Sequence, residues 1–337
     1  MRQSKNRSRG QVRPKPNQTT PKKPTHSVSI IGAGRMGTAL GLALKAAGYQ
    51  IEIVVTQRPA RASRAARAVG AGTPGLSARQ LSRLSPSQMD RLSNSSLILI
   101  ATPDDAIAMV AGQLAEIFKS MEKPRTGSRI AIHTSGALSS EALQPLKSAG
   151  FATASMHPLI SISEPLSDTR AFEGAFFTLE GDPGALRLAK SMVLDFGGHS
   201  LIIQARHKSL YHAAAVMASP HMVALFDIAV EMLGRCGVPS RRARQMLLPL
   251  MESTLRNLST QEPARALTGT FKRGDVSTVR RHLAAIRSEG LSEALAAYRL
   301  LGKRSIGLAR KTGMKPAEMA EIEKLIENLA RLKVSAS

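Results

Sequence analysis

A glycine-rich segment between a strand and a helix places the strongest constraint on the fold of this chain. Residues 27–31 have the pattern of a short buried strand, and residues 38–47 form an apolar, alanine-rich helical pattern. Gly32, Gly34 and Gly37 lie between them in G-x-G-x-x-G spacing. In such a unit the first glycine permits a tight turn, the second lets the backbone approach a pyrophosphate, and the third lets the helix pack on the strand. The segment therefore predicts dinucleotide binding at the helix N-terminus, the alternative being a glycine turn without a ligand.

Strand and helix patterns then alternate as far as about residue 204. Further buried strands are predicted at residues 51–55, 97–101, 129–132, 152–156, 176–180 and 199–203. After residue 204 only helical patterns with short breaks follow. Regular alternation of strands and helices is typical of a parallel sheet covered by helices on both faces. We therefore predict an α/β fold, with a Rossmann-type doubly wound parallel sheet in residues 26–204 and an all-α domain in residues 205–337.

The first 25 residues differ in composition from the rest of the chain. They contain eight basic residues and no acidic one, with many Pro, Gln, Asn and Ser residues and no apolar core. Such a segment is predicted to be a disordered basic tail rather than a secretory signal. The remaining residues keep a net charge of +15 out of the total of +23, which favours anionic ligands. The tail lacks aromatic residues for base stacking, so a nucleic-acid-associated protein is the least favoured class and no specific nucleic acid is expected.

Cysteine content and hydropathy bear on the compartment. The single cysteine, Cys236, excludes an intrachain disulfide framework and agrees with a reducing environment. The best candidate for a membrane span, residues 213–230, is interrupted by Pro220, His221 and Asp227. We therefore predict a cytoplasmic protein with no membrane partner, and the sequence indicates no metal site.

The end of the second predicted strand bears on the choice of nicotinamide cofactor. An acidic residue at this position would bind the ribose hydroxyls of NAD, whereas basic residues favour the 2′-phosphate of NADP. Thr56, Arg58 and Arg61 lie there without an acid, and Glu52 is near the opposite end of the strand. These three residues are predicted to bind the 2′-phosphate, which favours NADP. The alternative is that the arginines form an ordinary solvated helix face.

Polar residues also follow the third predicted strand. Thr102 and Pro103 are expected to line the nicotinamide side of the site, because ligands bind at the carboxyl ends of parallel strands. Asp104 or Asp105 is expected to cap the helix that follows.

Two further strands each end in a histidine. His133 ends one strand and precedes Ser135 and Gly136, and His157 ends the next. Two histidines at one sheet edge suggest the rim of an active site, although either alone would more often be structural. Ser135, with the Gly136 backbone, is a candidate for holding a substrate carboxylate or the nicotinamide amide.

A helical pattern beginning at Lys208 carries the candidate reaction groups. Lys208, Tyr211, His212 and Ser219 share one polar stripe of an otherwise apolar helix. An ammonium group can donate a proton to a carbonyl or imine undergoing reduction, and partial burial brings its pKa closer to neutral. Lys208 is therefore predicted to be catalytic, with His212 sharing the role and Tyr211 and Ser219 contacting substrate. The alternative is a solvated lysine beside a hydrogen-bonded core histidine, and Pro220 predicts a kink after Ser219.

Several short motifs, in the same order, resemble one known pattern over about residues 27–290. They are Gly32-Ala33-Gly34-Arg35-Met36-Gly37, Thr102-Pro103-Asp104, His133-Thr134-Ser135-Gly136-Ala137, His157-Pro158-Leu159, Leu179-Glu180-Gly181-Asp182, Lys208 with Tyr211-His212-Ala213-Ala214-Ala215, and Arg273-Gly274-Asp275. The chain resembles the oxidoreductases that join a Rossmann-like NADP-binding domain to a C-terminal helical domain of unknown function. These are related to pyrroline-5-carboxylate reductase, ketopantoate reductase and the 3-hydroxyacid dehydrogenases.

The resemblance implies NADP-linked reduction and a homodimer built through the helical domains, which would also hold substrate. It implies cofactor contacts at Arg35 and Met36 and a catalytic or substrate-binding role for Lys208. The chain departs from the family pattern at Pro220, at residues 160–162 and at residues 270–272, all in the substrate region. We therefore predict an NADP-dependent oxidoreductase that transfers hydride to or from a small, anionic carbonyl or imine substrate. A non-catalytic NADP-binding sensor or partner protein is the alternative.

Overall fold

The computed structural model describes residues 26–70, 72–121, 129–163 and 169–331. The chain divides into two compact units, Met1–Ala213 and Ala214–Ser337. The predicted basic tail, residues 1–25, lies outside the described residues.

The first unit is built on one eight-stranded sheet with the order β3-β2-β1-β4-β5-β6-β7-β8. The strands are β1 (Ser27–Ile31), β2 (Gln50–Thr56), β3 (Gly75–Ser77), β4 (Leu97–Ile100), β5 (Arg129–His133), β6 (Phe151–Pro158), β7 (Phe176–Gly181) and β8 (His199–Ile202). The chain winds outward from β1 in both directions, so the strand order reverses between β1 and β4. Ligands of open α/β sheets bind at such a switch point.

One strand pair departs from the predicted parallel arrangement. All neighbouring pairs are parallel except β6 and β7, which are antiparallel. A parallel connection needs a crossover, usually through a helix. The described residues between β6 and β7, 159–163 and 169–175, contain no helix, and the chain returns in the opposite direction. The predicted doubly wound sheet is confirmed, with this correction at β7.

Helices cover both faces of the sheet and separate its core into two apolar clusters. They are α1 (Arg35–Ala46), α2 (Pro59–Val69), α3 (Ala78–Leu81), α4 (Pro86–Asn94), α5 (Asp104–Lys119), α6 (Gln144–Ser148) and α7 (Pro183–Asp195), with 3-10 turns at Ser140–Leu143 and Ala205–His207. All residues of β4 are fully buried, as expected for a central strand with helices on both sides. The predicted cap of α5 is wrong, because Pro103 is the N-cap residue and both aspartates lie within the first turn.

The second unit is helical, as predicted for this part of the chain. Its helices are α8 (Lys208–Ala218), which begins in the first unit, α9 (Pro220–Arg235), α10 (Ser240–Thr260), α11 (Pro263–Ala266), α12 (Thr270–Arg273), α13 (Val276–Ser288), α14 (Ser292–Arg310) and α15 (Pro316–Arg331). Its main apolar cluster joins α13, α14 and α15. Ser219 has the non-helical angles φ −125° and ψ −75°, which confirms the interruption expected before Pro220.

Much of the apolar surface in the second unit is exposed. Helix α10 has 21 residues, but its one buried residue is Ala243, and Val230 is the one buried residue of α9. The helical run Ala205–Arg235 is long and apolar enough to span a membrane by length and composition. The sequence-based expectation of no membrane span here is therefore not met on length and composition, although the helical run is interrupted at Ser219. One such helix is weak evidence for a membrane protein.

Candidate functional site

Close backbone approach explains two of the three glycines after β1. Gly32 has φ +97°, and a Cβ there would lie 2.6 Å from the Ala101 carbonyl carbon and from the Thr102 nitrogen. A Cβ on Gly37 would overlap the carbonyl oxygen of Gly32. Helix α1 begins at Arg35, earlier than predicted, so Gly37 lies in its first turn and packs against the turn that precedes it. Both glycines are thus required by the packing of the protein itself.

Gly34 has no such explanation within the described residues. A Cβ on Gly34 would meet no atom within 4 Å, and its angles, φ −73° and ψ −154°, are open to other residues. Helix α1 begins there without a side-chain cap or an acidic residue in its first turn. The free space and the positive end of the helix dipole together form a cradle that suits a phosphate group.

The two residues between the glycines have different surroundings. The Arg35 guanidinium donates from Nη1 to the Ser163 carbonyl oxygen at 2.9 Å, which ties the glycine turn to the chain after β6. Met36 is partly buried against the apolar cluster that contains Leu40 and Val54. The α1 backbone at these two residues borders the cradle, whereas the Met36 side chain is occupied in packing.

The end of β2 presents two exposed arginines. Thr56 is buried and its hydroxyl donates to the Arg58 carbonyl oxygen at 2.8 Å, so this hydroxyl stabilises the turn into α2. Arg58 is the N-cap residue of α2, Arg61 follows in its first turn, and both are exposed. Glu52 accepts a hydrogen bond from the Gln50 amide at 2.8 Å, further back along the strand. The arrangement leaves positive charge and no carboxylate at the carboxyl end of β2.

Thr102 contributes an unsatisfied polar atom beside the glycine turn. Its Oγ1 is buried and has no hydrogen-bond partner among the described residues. An unpaired buried hydroxyl is costly, and it indicates a site for a water molecule or a ligand. Pro103 follows at the start of α5, so both residues lie where the sequence predicts the nicotinamide side of the site.

His133 is an internal structural residue. It is fully buried, its Nδ1 accepts from the Ser135 backbone nitrogen at 3.1 Å, and its Nε2 donates to the Ser139 carbonyl oxygen at 2.9 Å. Burial lowers the pKa of His133 to about 4 and keeps the ring neutral. Both ring nitrogens are satisfied within the protein, so the predicted substrate contact at His133 is wrong.

Ser135 is likewise engaged by the protein. Its hydroxyl donates to Asp104 Oδ2 at 2.8 Å and accepts from the backbone nitrogens of Ala137 and Leu138 at 3.1 and 3.0 Å. The Ser135 residue is 5% exposed. The hydroxyl thus shapes the turn after β5 and is not available to a carboxylate or a nicotinamide amide. Asp104, predicted to be a helix cap, instead receives this hydrogen bond.

Lys208 is buried at the junction of three elements. It is 1% exposed, and its Nζ donates to the Ser135 carbonyl oxygen at 2.8 Å and to Ser155 Oγ at 2.5 Å. Burial lowers the pKa of Lys208 to about 8, against the opposing charges of Glu180 and Asp104. The alternative of a solvated lysine is wrong. The ammonium instead joins the first turn of α8 to the ends of β5 and β6.

Three rings from β6 and α8 converge next to this junction. His157 Nδ1 lies 2.9 Å from Tyr211 Oη, and the His157 and His212 ring centroids are 5.5 Å apart. A Cβ on Gly136 would lie 2.9 Å from His157 Nε2 and would overlap His212 Nδ1. His212 Nδ1 is buried and has no hydrogen-bond partner among the described residues. The glycine thus permits the close approach of two imidazoles.

The structure therefore brings together Lys208, Tyr211, His212 and His157 within the first unit, and the substrate contact at Ser219 stays a prediction. Ser219 is the N-cap residue of α9 and belongs to the second unit. The sequence interpretation missed Ser155 and the role of Gly136. Ser155 lies two residues before His157, so the alternation of side chains along β6 could have placed both on one face.

Comparison with protein families agrees with this architecture. A model of a Rossmann-like domain matches residues 12–158, and a model of a domain of unknown function, DUF2520, matches residues 175–305. The chain joins a Rossmann-like domain to a DUF2520 domain. The DUF2520 match begins just before β7, so it includes the last two strands of the sheet. A comparison with curated protein sequences finds no match.

Solved structures share the fold at low sequence identity. A candidate NADP oxidoreductase from Bacteroides fragilis is 21% identical, with a TM-score of 0.65, covering 84% of this chain and 98% of its own. Protein TM1727 from Thermotoga maritima is 22% identical, with a TM-score of 0.62 and coverages of 85% and 99%. An imine reductase from Myxococcus stipitatus, solved with NADP⁺, is 17% identical, with a TM-score of 0.53 and coverages of 89% and 99%. These structures show that the chain has the same fold as these proteins.

Proposed function

We propose that this protein is an NADP-dependent oxidoreductase that transfers hydride to or from a small carbonyl or imine substrate. The observation that carries the proposal is the open cradle at Gly34. Gly32 and Gly37 are explained by internal packing, but Gly34 is not, and it borders an uncapped helix N-terminus. A bound pyrophosphate would use that space and the backbone N–H groups at Arg35 and Met36.

The charge at the end of β2 supports NADP over NAD. Arg58 and Arg61 are exposed, and no acidic side chain stands beside them to bind ribose hydroxyls. A guanidinium can bind the 2′-phosphate through two hydrogen bonds. The unpaired Thr102 hydroxyl would serve the nicotinamide end, and the bound cofactor would supply the hydride chemistry.

The reaction groups would come from the junction of β5, β6 and α8. The pKa of Lys208, about 8, suits proton exchange near neutral pH, whereas its burial leaves almost no open surface toward a substrate. His157, Tyr211 and His212 are partly exposed and border the same junction. The net charge of +23 favours an anionic substrate.

Calorimetric titration with NADPH and NADH tests the proposal, followed by a panel of small carbonyl and imine acids in the presence of the preferred cofactor. We expect tighter binding of NADPH and its oxidation by at least one panel member. Failure to bind either dinucleotide would refute the function. Tighter binding of NADH would refute the assignment of Arg58 and Arg61.

A non-catalytic NADP-binding sensor is the second candidate. It is favoured by the closed hydrogen bonding around Ser135 and Lys208, two groups that the sequence assigned to ligand contact. The sensor would bind NADPH with the same preference. It would not oxidise NADPH with any panel member, although it would change its protease sensitivity when the cofactor binds.

We further propose that the protein is a cytoplasmic homodimer formed through the second unit. Helices α9 and α10 expose large apolar side chains that a monomer would leave in water: Val223, Leu225, Met246, Leu248, Leu250, Leu255 and Leu258. Helices α9 and α10 pack against each other, and large exposed apolar patches mark interfaces. Light scattering is expected to give twice the chain mass. A monomeric mass, or extraction only with detergent, would contradict this proposal.

A further inference from the structure

His157 faces Gly136 with one ring nitrogen and Tyr211 with the other. Its Nδ1 lies 2.9 Å from Tyr211 Oη, while its Nε2 lies 2.9 Å from the position of a Gly136 Cβ, next to His212 Nδ1. A neutral imidazole has one donor nitrogen and one acceptor nitrogen. If the Tyr211 hydroxyl donates to Nδ1, Nε2 carries the proton and presents it toward Gly136 and His212.

His212 supplies a second polar atom at the same place. Its Nδ1 is buried and has no partner among the described residues, and it lies against Gly136. The His157 and His212 rings are nearly perpendicular, at 89°. Two imidazoles from different elements therefore meet beside one glycine, and one of them has a hydrogen bond left to make.

We propose that His157 is the group that exchanges a proton with the substrate, that Tyr211 relays this proton, and that Lys208 is a positioning residue. This inference rests on the proposed function and assigns roles within the same site. His212, with its unpaired Nδ1, would bind a polar atom of the substrate.

In the direction of reduction, the substrate receives a hydride on carbon and a proton on the neighbouring oxygen or nitrogen. The carbonyl or imine carbon gains a C–H bond from a reduced nicotinamide, and the π electrons move to the oxygen or nitrogen. That atom takes the proton from His157 Nε2, while the Tyr211 phenol proton moves to Nδ1. Nε2 then takes a proton from water, and the Nδ1 proton returns to the Tyr211 phenolate, so that His157 regains its first tautomer and one hydroxide ion is left in the solvent.

Lys208 acts on His157 through position and charge. Its two hydrogen bonds hold the Ser135–Gly136 turn and Ser155, and Ser155 is two residues before His157 on β6. Burial is the largest cause that lowers the pKa of His157, and together with the charge of Lys208 and the neighbouring His212 it brings that pKa to about 4. The other titratable groups near this position are Tyr211 of α8, Glu180 of β7, His133 of β5 and Asp104 of α5. A neutral His157 is the form that the relay requires.

Histidine ring titration by NMR in the cofactor-free protein tests the role of Lys208 without any enzyme assay. In the unmodified protein, His157 is expected to titrate near pH 4. In Lys208→Met the midpoint should rise by about one unit or more, because a neighbouring positive charge is removed. Lys208→Arg keeps the charge and should leave the midpoint near its original value. Lys190→Met, which removes an exposed lysine from α7, is the matched control.

An unchanged His157 midpoint in Lys208→Met would overturn the positioning role. If that variant fails to fold, Lys208→Gln, which keeps a hydrogen-bond donor and removes the charge, takes its place, and the same rise of the His157 midpoint is expected. This readout needs no dinucleotide, so it remains informative even if NADPH does not bind and the proposed function fails.

Kinetics with a substrate from the panel test the relay. His157→Gln is expected to lower kcat by about 10²-fold or more while leaving NADPH affinity unchanged. Tyr211→Phe should lower kcat and weaken its pH dependence, and Lys208→Arg should restore most of the kcat that Lys208→Met loses. Full turnover in His157→Gln would refute the proposal. Lys208→Arg and Lys208→Met could be equally inactive while the His157 midpoint is unchanged in both. That result would make Lys208, and not His157, the proton donor.

Discussion

Two alanine substitutions in the glycine turn should separate cofactor binding from stability. Gly34→Ala places a methyl group where no protein atom lies within 4 Å, at extended angles that alanine adopts freely. It should change the free energy of unfolding little, or raise it by about 0.4–1 kcal/mol by reducing the entropy of the unfolded chain. Gly37→Ala places a methyl group onto the Gly32 carbonyl oxygen. The overlap should cost about 1–3 kcal/mol.

The affinity for NADPH, unlike the stability, should be sensitive to Gly34→Ala. The methyl group of Gly34→Ala would occupy the space proposed for the pyrophosphate, so the Kd for NADPH should rise at least tenfold, or about 1.4 kcal/mol. Chemical denaturation measures stability and calorimetry measures Kd, both on the same preparations. The pyrophosphate cradle at Gly34 is refuted if Gly34→Ala binds NADPH as tightly as the unmodified protein. It is also refuted if Gly34→Ala is destabilised as much as Gly37→Ala.

Three further predictions follow from other parts of the molecule. His133 has a pKa of about 4 in the folded state against 6.5 for the free side chain, so the unfolded state takes up the proton first. The contribution of His133 to the unfolding free energy should therefore fall by about 3 kcal/mol between pH 6.5 and pH 4, and chemical denaturation of His133→Gln should show a pH dependence that is smaller by this amount. Arg58→Glu should raise the Kd for NADPH at least tenfold without affecting NADH, whereas Arg67→Glu, at the far end of α2, should change neither. Leu250→Asp should lower the mass measured by light scattering to that of one chain, while Leu194→Asp in the first unit should not; an unchanged dimer in Leu250→Asp would place the interface elsewhere.

Local patterns were sufficient for the framework of the first unit. The apolar run that forms β4 and the glycine spacing after β1 each depend on neighbouring residues, and both are found where the sequence predicts them. The start of α1 was misplaced because glycine has a poor helix propensity, although close packing requires Gly37 inside the first turn. Tertiary contact here outweighs local preference.

Contacts between distant residues could not be predicted in the same way. Asp104 and Ser135 are 31 positions apart, and Lys208 is 73 positions from Ser135 and 53 from Ser155. The helical periodicity placed Lys208, Tyr211 and His212 on one side of α8. It does not predict which residues of other elements this side contacts. Both His133 and His157 lie at strand ends. They differ because His133 is fully buried and donates to the Ser139 carbonyl oxygen, whereas His157 is partly exposed.

The antiparallel pairing of β6 with β7 also limits how this protein can evolve. The Rossmann-like match ends with β6 and the DUF2520 match begins before β7, so the two matches lie on neighbouring hydrogen-bonded strands of one sheet, with residues 159–174 between them in the sequence. Glu180, on the DUF2520 side, accepts hydrogen bonds from the backbone nitrogen and hydroxyl of Ser140 at 2.7 and 2.8 Å. In a chimera that takes one of the two domains from another protein, β6 and β7 would come from different proteins and would still have to pair in one sheet. We therefore expect β6 and β7 to covary among relatives, and the two families to be inherited as one unit.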